Sequence, residues 1–308
     1  MATRALQLGT RASALARWQA EWVAARLLSC GHAVDLVPIT TQGDVVRGSL
    51  GEAGGVGLFT KELQHALLDG RIDLAVHSLK DLPTEHVPGL ALAGVPPRES
   101  VCDVLLSRDG LTLASLPYGA VVGTGSLRRR AQALHRRPDL RFIDIRGNVD
   151  TRVRKLQSGQ YDAIILAEAG LNRLQLTAHV TQVLSPLEML PAVGQGALGI
   201  EARANDQRTR TAVEALNDPA THAAVLAERS LLLTLLGGCL APVGAWGRAT
   251  ENGQLELDAV VLSADGKQRL AATARTADLA DAVDLGKHVA ETLLAQGAAL
   301  LIQQSRRA

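Results

Sequence analysis

Leu68-Asp69-Gly70-Arg71-Ile72-Asp73-Leu74-Ala75-Val76 reads as a helix end, a glycine turn and a buried strand. Leu156-Gln157-Ser158-Gly159-Gln160-Tyr161-Asp162-Ala163-Ile164-Ile165 repeats that reading further along the chain. A second pair of stretches matches in the same way. Leu8-Gly9-Thr10 with Ser13 resembles Val122-Gly123-Thr124 with Ser126, each where a strand gives way to a helix. The order strand, Gly-Thr turn, helix, strand, helix, glycine turn, strand thus occurs twice. It predicts two similar α/β domains, the second over roughly 100–190, and strand–helix–strand order predicts parallel sheets. Open α/β sheets bind ligands beyond the carboxyl ends of their strands. Two such domains facing each other would enclose a cleft.

Working outward, Ala5–Leu8 and Val34–Ile39 read as strands and Ser13–Ser29 as an amphipathic helix. Leu58–Leu68 reads as a helix and Ile72–Val76 as a buried strand. Thr41–Gly57 holds Gly43, Gly48, Gly51, Gly54, Gly55 and Gly57 with no apolar period, so a mobile loop is expected. After about residue 218 the alternation stops. Thr221–Leu236 reads as a helix. Leu255–Leu262 and Gln268–Ala274 flank Ala264-Asp265-Gly266, a hairpin signal, and Asp278–Gln303 is helical. This stretch reads as a third, α+β domain.

Composition narrows the function. The 308 residues are more than one ordinary core needs. Lysine and arginine number 32 against 31 acidic residues, so the net charge is +1. A tail-driven polyelectrolyte is excluded. Aromatic residues are 2% of the chain, too few for a base-stacking platform. Cys30, Cys102 and Cys239 form no even disulfide set and have no metal-ligand spacing. The N-terminus lacks an apolar core of the signal-peptide kind, and no long uncharged apolar run suggests a membrane span. A cytoplasmic protein without metal or membrane partner is the expectation.

Charge is concentrated in one place. Residues 126–155 hold ten basic and three acidic side chains, a local charge of +7 that leaves −6 for the rest. Such a run is ordinarily a solvated helix face. Its placement favours an anion site instead. Ser126 is a good N-cap, so Arg128 and Arg129 fall in the first helical turn, where cations oppose the helix dipole. A bound anion would relieve that conflict and take up the free N–H groups. Arg11 beside Ser13 repeats the arrangement, and Arg146 follows the strand Arg141–Ile145. No RNA-binding motif, zinc finger, Walker motif or dinucleotide fingerprint accompanies the arginines, so a small polyanion is favoured over nucleic acid. His77-Ser78-Leu79-Lys80-Asp81-Leu82-Pro83 leaves the strand Ile72–Val76. Lys80 could bind an anion there, and Asp81 could stabilise a cation or move a proton; a plain surface turn before proline fits the spacing equally. Leu236-Gly237-Gly238-Cys239-Leu240-Ala241-Pro242 puts a thiol on a loop. That thiol is either inert packing or a nucleophile.

Five motifs occur in one order: Ala75–Pro83, Gly123-Thr124-Gly125-Ser126-Leu127-Arg128-Arg129, Ile145-Arg146-Gly147-Asn148-Val149, Leu190-Pro191-Ala192-Val193-Gly194-Gln195-Gly196-Ala197 and Gly237-Gly238-Cys239. Over almost its whole length the chain resembles the porphobilinogen deaminase (hydroxymethylbilane synthase) family. The resemblance implies two periplasmic-binding-protein-like α/β domains around a cleft, at 1–96 with 197–214 and at 100–191, plus a smaller α+β domain at 218–308. It implies head-to-tail condensation of four porphobilinogen molecules, with loss of ammonia, into hydroxymethylbilane. It implies a dipyrromethane cofactor held covalently by Cys239. Asp81 would stabilise the cationic azafulvene and assist proton transfer. Arg11, Ser13, Lys80, Thr124, Ser126, Arg128, Arg129, Arg146, Arg152, Arg173 and Gln195 would line the cofactor and substrate sites. Phe59 would stack near a pyrrole, and Asp44 would lie on the loop over the cleft. A monomer is implied, with hand-over of product to uroporphyrinogen-III synthase.

The arginine-rich segment agrees with this, because pyrroles bearing acetate and propionate make a growing oligopyrrole a polyanion. Some positions depart from the family pattern. Glu52 and Val56 stand where lysines are common, Gly125 where serine is often found, and Glu168 where a small or apolar residue is usual. Glu168 would repel substrate carboxylates or face Arg173. The competing reading from another class is a non-catalytic two-domain small-anion-binding protein, and a third is an inactive paralogue.

Overall fold

The structure is a computed structural model that describes residues 4–40, 60–235 and 241–305. Its elements in chain order begin with β1 (Leu6–Thr10), α1 (Ala14–Ser29), β2 (Val34–Pro38), α2 (Lys61–Leu68), β3 (Leu74–Ser78) and β4 (Leu90–Gly94). There follow β5 (Asp103–Ser107), β6 (Val121–Gly123), α3 (Leu127–Arg136), β7 (Arg141–Ile143), α4 (Val149–Gln157), β8 (Ala163–Ala167), α5 (Glu168–Arg173) and β9 (Gln182–Leu184). The remainder is β10 (Leu198–Arg203), α6 (Gln207–Glu214), α7 (Pro219–Thr234), β11 (Val243–Ala249), β12 (Leu255–Leu262), β13 (Arg269–Thr276), α8 (Ala282–Ala295) and α9 (Ala298–Ser305). The chain divides into two compact units, Met1–Arg98 with Ala197–His222, and Glu99–Gly196 with Ala223–Ala308.

The first unit holds a five-stranded sheet ordered β2-β1-β3-β10-β4. The second holds an equivalent sheet, β7-β6-β8-β5-β9. β1 is parallel to β2 and β3, and β6 is parallel to β7 and β8, as βαβ crossovers require. The all-parallel expectation fails at one equivalent place in each sheet. β10 runs antiparallel to β3 and β4, and β5 antiparallel to β8 and β9. Neither β5 nor β10 follows a helical crossover from its sheet neighbour, so nothing fixes a parallel direction.

Both faces of each sheet are covered, which explains the unbroken apolar runs of β3 and β5. In the first unit Ala20, Val23 and Leu27 of α1 pack with Leu8, Leu74, Val76 and Leu198. Leu63 and Leu67 of α2 cover the other face with Ile72, Ala75 and Leu90. Each such buried Leu or Val contributes about 1.5–3 kcal/mol relative to an exposed one.

The sequence repeat is a repeat of contacts. Asp73 N–H donates to Gln7 O at 2.8 Å, and Asp73 Oδ2 accepts from Gln7 N–H at 2.9 Å. Asp162 N–H donates to Val121 O at 2.9 Å, and Asp162 Oδ2 accepts from Val121 N–H at 2.8 Å. The strand-end glycines are explained by close approach. A Cβ on Gly9 would stand 2.4 Å from Ile72 Cδ1, and one on Gly123 would stand 2.8 Å from Tyr161 Cδ1.

After α7 the second unit continues as an antiparallel sheet, β11-β12-β13, covered by α7, α8 and α9. β12 and β13 pair in register across the expected Asp265-Gly266 turn. The C-terminal helical stretch is two helices, because Gly297 adopts φ +101° between them. Glu228 of α7, fully buried, accepts from Gly194 N–H at 2.6 Å and Gly247 N–H at 2.8 Å, tying the 190–196 segment to this sheet.

Candidate active site

In the first unit the expected site residues Arg11, Ser13, Lys80 and Asp81 follow the carboxyl ends of β1 and β3. Ser13 caps α1 by accepting from Ala16 N–H at 3.3 Å. Arg11 lies half-buried on the turn before it. Beyond β3 the chain tightens into a 3-10 turn, Leu79–Asp81. Leu79 is buried and its N–H donates to Ala197 O at 3.0 Å, anchoring the turn to β10. Lys80 is then half-buried and Asp81 exposed. A further feature lies behind this turn and escaped the sequence reading. His77 Nε2 stands 2.9 Å from Glu201 Oε2, both buried, and Gln64 Nε2 donates to Glu201 Oε1 at 3.2 Å.

In the second unit Ser126 caps α3, accepting from Arg129 N–H at 3.4 Å. Thr124 is buried, and its hydroxyl accepts from Ser126 N–H at 3.2 Å. Arg128 and Arg129 do occupy the first turn, yet they do not wait for an external anion. Asp103 Oδ2 takes Arg128 Nη1 at 2.7 Å, and Asp103 Oδ1 takes Arg129 Nε at 2.9 Å. Arg128 Nη1 also donates to Leu190 O at 2.6 Å, and Arg129 Nη1 to Ile165 O at 3.1 Å. The dipole conflict is relieved from inside, by a residue the sequence reading passed over. Burial works to raise the Asp103 pKa, but Arg128 and Arg129 outweigh it and hold the carboxyl at about 2.

Gln195 is also placed differently from the expectation. It is wholly buried, and its amide donates to Asp103 Oδ1 at 3.0 Å and Val101 O at 2.7 Å. Arg173 is buried and donates to Gly196 O at 2.7 Å. Arg146 and Arg152 stay half-buried beside β7, which ends at Ile143 rather than at Ile145. Arg152 Nε donates to Gly147 O at 2.8 Å, and Lys155 Nζ to Arg146 O at 3.0 Å.

Glu168 Oε2 accepts from the Ser100 hydroxyl at 2.5 Å. Cys102 is half-buried, and burial pushes its thiol up, which suits an inert thiol. Asp44, Phe59 and Cys239, with Glu52 and Val56, lie outside the described residues.

The donor set suits a polycarboxylate. In the second unit Ser126, Arg146 and Arg152 are half-buried, Gly125 is exposed, and a Cβ there would meet only Ile145 O at 3.5 Å. Arg128 Nε is buried without a hydrogen-bond partner among the described residues. Fold and site together define a class: an α/β protein of two matched sheets that presents arginines, hydroxyls and the exposed acid Asp81 at strand ends. The chain belongs to the porphobilinogen deaminase family. Residues 6–211 match that family's dipyromethane cofactor binding domain, and residues 222–295 match its C-terminal domain. It is 49% identical to a porphobilinogen deaminase from Syntrophotalea carbinolica over 97% of this chain and 95% of that one. Identity to one from Acidithiobacillus ferrooxidans is also 49%, over 98% of this chain and 99% of the other. A nutrient binding protein from Burkholderia cenocepacia bound to methionine aligns with a TM-score of 0.44 at 14% identity, over 74% of this chain and 95% of that chain. The family is one of transferases, which favours the catalytic reading over a non-catalytic anion-binding protein. Among the described residues no helix is long and apolar enough to cross a membrane.

Proposed function

We propose that the chain condenses four porphobilinogen molecules head to tail, with loss of ammonia at each step, and releases hydroxymethylbilane by hydrolysis. The observation that carries this reading is the exposed Asp81 on an anchored turn in a chain matched by the family over residues 6–211. Bound dipyrromethane, attached through Cys239, would supply the primer pyrrole from which the chain grows.

The protein's own groups then have defined work. Asp81 accepts hydrogen bonds from pyrrole N–H groups and stabilises the substrate cation left as the C–N bond to ammonia breaks. It also takes part in moving the proton that leaves the pyrrole carbon when the C–C bond forms. Lys80, Arg11 and Ser13 in the first unit, and Thr124, Ser126, Arg146 and Arg152 in the second, bind acetate and propionate groups. Arg128, Arg129, Arg173 and Gln195 act from behind that surface. Phe59 and Asp44 complete the substrate surface. We assign the domains as 1–96 with 197–214, 100–191 and 218–308. The chain works as a cytoplasmic monomer and passes its product to uroporphyrinogen-III synthase.

Incubation with porphobilinogen tests the reading. The expected result is substrate consumption with one ammonia released per porphobilinogen and hydroxymethylbilane as the product. Binding of porphobilinogen without ammonia release would contradict catalysis and support the anion-binding alternative.

A further inference from the structure

We infer that Asp103, Arg128 and Arg129 form a buried charge cluster that sets the anion affinity of the Thr124–Ser126 turn, with Asp103 as its positioning residue. The inference rests on the deaminase reading above and adds to it a residue that touches no substrate.

The first support is geometry. Asp103 is wholly buried at the first residue of β5, and Arg128 and Arg129 are 3% and 6% exposed. Both carboxylate oxygens are taken by the two guanidiniums, and Gln195 adds a third donor at 3.0 Å. Three segments distant in sequence therefore meet on one carboxylate. Among the described residues two positive charges meet one negative there, where water and salt reach them poorly.

The second support is that the fold manages without the cluster. Asp103 pairs with Ala167 at the end of β8, and in the first unit Leu198 pairs with Ser78 at the end of β3. Arg128 and Arg129 follow the cap Ser126 by two and three residues. Leu15 and Ala16 follow the cap Ser13 by the same steps. At these positions the first unit has buried Leu198 with half-buried Leu15 and Ala16, and the second has an ionised triad. Apolar replacements of buried ion triads are often no less stable. The triad is therefore not explained by packing. It lies under the first turn of α3, whose N–H groups, with Ser126 and exposed Gly125, form the surface an anion meets. A carboxylate there gains from a fixed positive field that needs no reorganisation. Without Asp103 the two guanidiniums repel each other and lose their orientation.

The test uses purified holoenzyme and two variants, Asp103→Asn and the apolar replica Asp103→Leu/Arg128→Leu/Arg129→Ala. Three quantities are read: KM and kcat for porphobilinogen, the fraction of chains carrying the covalent adduct by denatured mass, and Tm. Asp103→Asn is expected to raise KM at least about tenfold, lower the adduct fraction several-fold, and lower Tm by about 4 °C or more. The replica is expected to recover Tm but neither KM nor adduct fraction. A replica with wild-type KM and adduct fraction overturns the inference, as does folded Asp103→Asn with both unchanged. Failure of both variants to fold would make the cluster a requirement of the fold and overturn it too. A wild type that releases no ammonia would defeat the deaminase reading itself, which is a separate outcome.

Discussion

The turn after β1 and the turn after β6 are built on one plan and used differently. Each places a glycine at or next to the strand end against a side chain just before a neighbouring strand, Ile72 before β3 in one case and Tyr161 before β8 in the other. In both, an aspartate bonds the first strand in the same two places, and the helix is capped with serine. They part at three equivalent positions: buried Leu198 with half-buried Leu15 and Ala16 in the first unit, and buried, ionised Asp103, Arg128 and Arg129 in the second. They part again beyond the third strand. Leu79-Lys80-Asp81 in the first unit stands where Glu168-Ala169-Gly170 stands in the second. The frame is common; on the proposed reading, proton chemistry falls to one copy and fixed charge to the other.

The largest test of that division is Asp81→Asn. An amide cannot stabilise a cation or carry a proton as a carboxylate does, so turnover should fall about a hundred- to ten-thousandfold with folding intact. Turnover near wild type would place the chemistry elsewhere. Next is Leu198→Asp, which puts the second unit's carboxylate into the first unit's frame without its arginines. An unpaired buried acid should lower unfolding free energy by about 3 kcal/mol or more in a urea titration. Full tolerance would mean that the two frames are less alike than their registers indicate.

An acid titration comes third. Asp103 is held at about 2 against an ordinary 3.8. Because the folded value is the lower, its stabilisation is present above about pH 4 and disappears as pH falls toward 2. That contribution is about 2 kcal/mol. The apolar replica lacks it, so the Tm of wild type should fall more steeply than that of the replica over this window. Parallel curves would show that Asp103 is not depressed. Smallest are the caps: Ser13→Ala and Ser126→Ala should each lower stability by about 1 kcal/mol. Only Ser126→Ala and Ser13→Ala together probe both anion turns, and each should also raise KM for porphobilinogen severalfold.

Much of the frame was legible in residues. The repeat at Leu68–Val76 and Leu156–Ile165, the caps Ser13 and Ser126, and the Asp265-Gly266 hairpin all rest on local spacing, and their elements stand near the expected places. The antiparallel strands β5 and β10 were not legible, because direction there is set by partners far away in sequence. Asp103 was hidden for the same reason. It is one acid opening the apolar run Val104-Leu105-Leu106, and its partners Arg128 and Arg129 come from another segment. A lone ionisable residue at the head of a two-sided buried strand was the available signal, since such a charge requires a partner. Gln195 illustrates the converse: the motif located the residue, whereas the structure turns its amide inward to Asp103.

The most direct test is the denatured intact mass of the purified chain beside Cys239→Ala. The expected result is a wild-type excess equal to one dipyrromethane, absent from Cys239→Ala and retained by Cys30→Ala and Cys102→Ala. A wild-type chain that stays at its bare mass after prolonged exposure to porphobilinogen, or an adduct that survives in Cys239→Ala, would contradict it.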